Sequence, residues 1–344
     1  MGIAELSTVG RRLEAFLAEE IAIPATARTG ASNSQTYLRQ VLRNKANSDD
    51  SFPELLTRSD CDFLGGSFAR HTKIWPLDDI DLFLPLEGGR LIYHNNGNRL
   101  PFTVLSDGRA SRLTQDRWQT YGNVDSTKVL NGLRDGLRET YPSSIVKLDK
   151  HCVNLQTTVA ATAESDGIGF DVVPCFCLTP DDGSEAFYLV PDGSGGWMRS
   201  NPRKDTDICT ELNNYHGTYR QAVRLVKNWN KTQVSNAFQS YYIELALSKK
   251  FLSLKQGNKK YQYLLQAFAM GMTELRTAYL SGDLTALIAE APAVEAPVLT
   301  DNQKGILEGD VTRANESFVH AYHNGSIEDA FNALNTIFTT ASFE

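Results

Sequence analysis

The chain has 344 residues, of which 41% are hydrophobic and 22% charged, an ordinary globular composition that argues against a disordered protein and leaves room for a sizeable core in two joined lobes. A formal net charge of −7 argues against a surface that is wholly a nucleic-acid clamp, although a local basic groove is compatible with it. No stretch approaches the roughly 18 consecutive apolar residues that cross a bilayer, so the composition predicts a cytoplasmic protein with no membrane partner.

Apolar and charged residues alternate at helical spacing over 3–20 and 35–48, which predicts two helices packed behind a sheet and joined by a loop from Pro24 to Ser34. Gly65-Gly66-Ser67 then precedes Phe68 to Thr72, a short predicted helix. Glycine backbone and a serine hydroxyl at a helix start suit phosphate oxygens, and the same three residues also suit a tight turn with a serine cap. The run Leu77 to Leu84 reads as a strand. Alternation puts Asp79, Asp81 and Phe83 on one face and Ile80, Leu82 and Leu84 on the other, with Asp78 turned away from the pair. Segments Arg90 to His94 and Leu100 to Leu105 flank Asn95-Asn96-Gly97-Asn98 and predict a hairpin, because Asn and Gly accept positive φ.

A helix over Val129 to Tyr141 and strands over Ile145 to Leu148, Cys152 to Val159 and Ile168 to Val173 complete a strand-rich lobe. In the last strand Ile168, Phe170 and Val172 form an apolar face and Asp171 points the opposite way, so a third carboxylate can join Asp79 and Asp81. From Tyr215 the pattern turns helical, with segments near 215–231, 235–253, 259–281 and 311–340, and Ala291 to Pro297 forms an extended connector. Cys61, Cys152, Cys175, Cys177 and Cys209 are scattered and read as reduced structural thiols. Neither they nor His320 and His323 show zinc-site spacing.

Three such carboxylates together are hard oxygen donors of the kind that hold Mg²⁺ beside substrate phosphates. On the helix near 215–231, Arg220, Arg224, Lys227 and Lys231 form a basic stripe, with Ala222, Val226 and Trp229 on the packing side. Periodicity leaves that stripe as either a solvated face or a ligand surface. It likewise leaves Tyr241 as either packing or a base platform.

The ordered set of Gly65-Gly66-Ser67, Asp79-Ile80-Asp81 and Asp171 resembles the polymerase-beta-like nucleotidyltransferase superfamily. Phe170 to Phe176, Gly196-Trp197-Met198-Arg199-Ser200-Asn201-Pro202, Arg224 to Asn230 and Ser240 to Leu245 narrow it to the bacterial CD-NTases of anti-phage defence, relatives of cyclic GMP-AMP synthase and oligoadenylate synthase. The resemblance runs from about residue 60 to residue 255. It implies an α+β fold with a mixed-sheet catalytic lobe over 1–210 and an α-helical second lobe over 211–344 that completes the nucleotide site.

It further implies that Asp79, Asp81 and Asp171 are the catalytic metal ligands for two Mg²⁺ ions, or Mn²⁺. Gly66, Ser67, Lys227 and Ser240 would meet the triphosphate, and Tyr241 would stack on a base. The implied activity is synthesis of a cyclic oligonucleotide second messenger from NTPs, ATP and GTP foremost, for a downstream effector and without a stable nucleic-acid template. A nucleotidyltransferase that modifies a small molecule, protein or RNA end would use the same carboxylates. A non-catalytic nucleotide-binding scaffold is the third reading.

Overall fold

The computed structural model describes residues 2–56, 62–89, 91–95, 103–105, 111–157, 167–179, 186–288, 291–339 and 343. Helix α1 (Ile3–Phe16) runs into a π turn over Leu17–Ile21, and α2 spans Ala25–Ser48. The expected loop between them is therefore mostly helix. Ala27 and Ala31 bury on the same face as Leu38 and Leu42, and such small residues give a weak apolar signal even where they pack closely. A second expectation also fails. Leu6, Val9, Leu13, Phe16, Leu17 and Ile21 bury in the core of the helical lobe, not behind the sheet; only α2 packs there.

The sheet begins with β1 (Phe63–Leu64), followed by α3 (Gly66–Ala69) and β2 (Ile80–Pro85). A small second sheet holds β3 (Ile92–His94), β4 (Thr103–Leu105), β5 (Gln119–Thr120) and β6 (Asn123–Val124). β3 and β4 pair antiparallel as the hairpin reading requires, while Asn96 to Asn98 of its turn lie outside the described residues. Asp125 caps α4 (Ser126–Thr140) by accepting from the Thr127 and Lys128 amides. Then come β7 (Ile145–Leu148), β8 (Val153–Gln156), β9 (Gly169–Leu178), β10 (Phe187–Pro191) and β11 (Trp197–Ser200). The end of the strand expected over Cys152 to Val159 lies outside the described residues.

In the main sheet the order is β1, β2, β9, β10, β11, with β8 pairing the first half of β9 and β7 pairing β8. β2 and β9 are parallel and the other pairs antiparallel, so the sheet is mixed. Ile80, Leu82 and Leu84 from β2 and Phe170 and Val172 from β9 meet α2 and α4 on one face. Phe83, Val173, Cys175 and Tyr188 form a smaller cluster on the other. Alternation along the strands thus decides which residues are left to face the site.

The helical lobe holds α5 (Pro202–His216), α6 (Tyr219–Gln233), α7 (Ser240–Gln256), α8 (Leu264–Ser281), α9 (Asp301–Val319) and α10 (Ile327–Ile337). The segment expected near 311–340 is two helices, because a π turn over His320–Asn324 is followed by Gly325 in the left-handed region and Ser326 as a cap. The helix expected near 215–231 is preceded by the whole of α5, which the sequence reading passed over. Its start is nonetheless written in the chain: the Asn201 side chain accepts from the Lys204 amide and Pro202 stands in the first turn. Among the described residues no helix is long and apolar enough to cross a membrane.

Candidate active site

Parallel pairing of β2 with β9 sets Asp81 directly opposite Asp171. Both strands put their neighbouring residues into the core behind, so the two carboxylates emerge together on the open side. Burial, reinforced by the Asp171 charge, pushes the Asp81 carboxyl up to about 6 even though Arg70 acts the other way. Asn154 donates Nδ2–H to Asp171 Oδ1 at 2.9 Å, fixing that carboxylate. Asp79 stands just before β2 with its side chain 51% exposed, and Lys73 pairs with it and, at 2.5 Å, with Asp78. Among the described residues no three acid, thiol or imidazole groups form a metal-holding cluster.

The glycines are held by this acidic strand. The Gly65 amide donates to the Asp81 carbonyl at 3.0 Å. Gly66 has φ +60, and a Cβ built there would lie 1.6 Å from Asp81 Oδ2. Only glycine meets both conditions. The short helix begins at Gly66, earlier than the Phe68 to Thr72 expected, and the Thr72 and Lys73 amides donate back to the Ser67 carbonyl at 2.9 and 3.0 Å. That closure turns Lys73 toward Asp79.

Gly66, Ser67, Asp79 and Asp81 line one wall of a cleft of about 650 Å³, and Ser240 and Tyr241 line the other. Ser240 opens α7 and is exposed. The Tyr241 hydroxyl donates to both oxygens of Asp205, and Arg70 lies 5.6 Å from the ring centroid. Burial, partly countered by Arg70 and the Tyr241 hydrogen bond, raises Asp205 to about 6. Arg70 and Glu244 also line the cleft, and Glu244 accepts Arg70 Nε–H on one oxygen and Lys227 Nζ–H on the other, each at 2.5 Å. Burial opposes the Glu244 charge, but the two cations pull its carboxyl down to about 2. The same burial lowers the Lys227 pKa against the pull of Glu244.

The structure therefore brings six of the residues picked from sequence onto the cleft wall, Gly66, Ser67, Asp79, Asp81, Ser240 and Tyr241. Asp171 stands beside Asp81 in the sheet. Lys227 is only 4% exposed and does not line the cleft, although its triad partners Arg70 and Glu244 do. Sequence reasoning missed Lys73, Arg70, Asp205 and Glu244. Glu244 carried a signal, a single charge inside the apolar run Tyr241 to Leu247, because such a residue has to be paired when buried.

No protein-family model matches the chain. A probable cyclic nucleotide synthase of Bacillus cereus (strain VD146) is 28% identical over 292 residues, 82% of this chain and 84% of that relative. Two solved structures of E. coli MS115-1 CdnC, one with ATP and one in a complex with HORMA-deltaN, each superpose with a TM-score of 0.62 at 17% identity, over 97% of this chain and 98% of theirs. These matches bear out the family resemblance drawn from the motifs and the α+β nucleotidyltransferase fold with its helical lobe.

Proposed function

We infer that this chain, a nucleotidyltransferase of the bacterial CD-NTase type, joins NTPs into a cyclic oligonucleotide with release of pyrophosphate. The observation that carries the reading is the in-register pair Asp81 and Asp171, with Gly66 packed against Asp81, across a cleft from Ser240 and Tyr241. The B. cereus relative, named for cyclic nucleotide synthesis, supports it. CdnC solved with ATP supports a nucleoside triphosphate as substrate.

Each bond forms when a ribose hydroxyl attacks the α-phosphorus, loses its proton and expels pyrophosphate. Asp81 and Asp171, two hard-oxygen donors side by side with a raised pKa on Asp81, fit a divalent cation, and Asp79 would complete the set once Lys73 releases it. Two ions of Mg²⁺ or Mn²⁺ held there would activate the hydroxyl and neutralise the triphosphate. The chain's own part is placement. Gly66 and Ser67 leave room for phosphate oxygens, Ser240 offers a hydroxyl from the opposite wall, and Tyr241 presents a ring for stacking. Residues 1–210 supply the aspartates and 211–344 the base contact. We place the activity in the cytoplasm and in anti-phage signalling, with a downstream effector taking the product.

Incubation with all four NTPs and Mg²⁺ or Mn²⁺, followed by nuclease digestion and mass analysis, tests the reaction, bases and linkage together. A product made only of nucleotides is expected. A nucleotide attached to a protein or other acceptor points to the modifying enzyme instead, and no pyrophosphate release with any NTP leaves the scaffold reading.

A further inference from the structure

Lys73 stands between two adjacent carboxylates that differ in what they face. Its Nζ donates to Asp78 Oδ1 at 2.5 Å and also to Asp79 Oδ1, and among the described residues it pairs with no other carboxylate. Only Asp79 of the two lines the cleft, while the side chain of Asp78 is 62% exposed. The backbone around the pair is pinned. The Lys73 amide donates to the Ser67 carbonyl and the Trp75 amide to the Ile21 carbonyl, each at 3.0 Å. On the other side a Cβ built on Gly169 would come within 2.0 Å of the Asp78 carbonyl, so that peptide rests against the start of β9, two residues before Asp171.

Movement is therefore left to the Lys73 side chain, a flexible four-carbon stem that ends in a rotatable ammonium. At 11% exposure that ammonium needs an anionic partner at all times, because a charge shielded from water and left unpaired is strongly destabilising. The surrounding charges give each carboxylate its occasion. Burial and then Asp171 raise the Asp81 carboxyl, and Arg70 and Lys73 are the cations that oppose them. Held on Asp79, Lys73 offsets the negative charge that Asp79 adds near Asp81 and Asp171. Once Asp79 serves a divalent cation, the same ammonium beside it is a like charge. Asp78 is then the carboxylate that Lys73 already touches and can keep.

We propose, resting on the assignment of Asp79 to the cation site, that Lys73 is a positioning residue that exchanges Asp79 for Asp78. It neutralises Asp79 while no divalent cation is held there and parks on Asp78 when Asp79 takes one up. Asp78, which touches neither substrate nor cation, thereby sets how readily Asp79 is released. Lys73, Asp78 and Asp79 together govern the cation affinity of the chain before any nucleotide binds.

The test is Mn²⁺ binding to the full chain without NTP, followed by the electron paramagnetic resonance signal of the free ion. Lys73→Met keeps the bulk of the stem and removes the charge, and should tighten Mn²⁺ about fivefold, the upper worth of a partly exposed ion pair. Asp78→Asn leaves the ammonium no second partner and should weaken Mn²⁺ by a similar factor. The Lys73→Met/Asp78→Asn double variant decides whether the two residues act through each other. With no ammonium to park, it should bind Mn²⁺ as Lys73→Met does. Equal weakening by Asp78→Asn in both backgrounds makes Asp78 a distant charge only and overturns the exchange. Asp78 is largely exposed, so Asp78→Asn keeps the fold, and its failure to weaken Mn²⁺ binding overturns the exchange by itself. Asp81→Asn is the reference for the site. Mn²⁺ binding that is lost in Asp81→Asn yet unmoved by the Lys73 and Asp78 variants removes the exchange and leaves the metal site standing. Mn²⁺ binding indifferent to Asp81→Asn, or absent from the parent and Lys73→Met alike, removes both.

Discussion

The Tyr241 hydroxyl donates to both carboxylate oxygens of Asp205, at 3.1 and 3.2 Å, while the Arg70 guanidinium lies 5.6 Å from the centroid of the same ring. The phenol is tethered at its tip and engaged by a cation, so the ring is held in one orientation, which would favour the proposed stacking on a base. Tyr241→Ala should weaken nucleotide binding by about 1–3 kcal/mol, the usual worth of one base stacked on an aromatic ring. Tyr241→Phe keeps the ring and deprives Asp205 of its donor, so it should raise the KM for NTP by less than the alanine variant and more than a neutral change. Titration of both folded variants with NTP checks this. A large fall in melting temperature with unchanged affinity in Tyr241→Ala would mean that the ring is packing only.

Much of this site could be read from the chain because strand alternation is a short-range rule. Asp81 and Asp171 face the open side for the same reason that Ile80, Leu82, Phe170 and Val172 face the core. What sequence could not give is which charges meet across the fold. Lys227 belongs to a basic stripe on α6, yet Glu244 from α7 and Arg70 from the turn after α3 bury it, and no local pattern encodes that meeting. Asp205 is missed along with α5, which buries few of its residues and so carries a weaker apolar stripe than α6. Its Asn-Pro start was the one local clue.

The triad of Arg70, Glu244 and Lys227 should carry stability more than chemistry. Glu244→Gln leaves two buried cations without their shared carboxylate, and breaking such a buried pair costs about 3–5 kcal/mol. The pH dependence follows from the depressed carboxyl. A group whose folded pKa is about 2 against an ordinary 4.5 contributes fully above pH 4.5, and the contribution disappears as pH falls toward 2. Acid unfolding of the parent should therefore show a loss of about 3 kcal/mol over that window, absent from Glu244→Gln. Equal acid sensitivity in the two proteins would argue that Glu244 is not ionised in the fold.

Gly66→Ala tests the approach of the loop to the strand that carries Asp81. The substitution forces a side chain into φ +60 and into the Asp81 carboxylate, so either the loop or Asp81 has to move. The backbone term alone is about 1–2 kcal/mol. Product formation should fall at least a hundredfold, about 2.7 kcal/mol of transition-state stabilisation, with only a modest fall in melting temperature. Gly10→Ala, where the added methyl meets nothing within 4 Å, is the control and should leave turnover unchanged. Turnover of Gly66→Ala equal to that control would show that the loop's closeness to Asp81 has no part in catalysis.

Asp81→Asn should inactivate the enzyme and stabilise it at once. Its carboxyl is raised from 3.8 to about 6 by burial and by Asp171, so the folded protein holds that proton more tightly than the unfolded chain. Stability contributed by the protonated form is therefore lost as pH rises from 3.8 through 6, and above that the ionised group costs about 3 kcal/mol. Asparagine keeps the volume and removes the charge. In a chelating buffer near neutral pH, Asp81→Asn should melt a few degrees above the parent, and the gap should close on acidification below about 3.8, where both side chains are neutral. Adding Mg²⁺ should raise the melting temperature of the parent by binding the native state, with little effect on the variant. Asp79→Asn should lose product formation too, but without the gain in stability, because Lys73 already balances that more exposed carboxylate. A variant at position 81 that melts below the parent in chelator would contradict the account of two converging carboxylates. Equal Mg²⁺ stabilisation of parent and variant would remove Asp81 from the metal set.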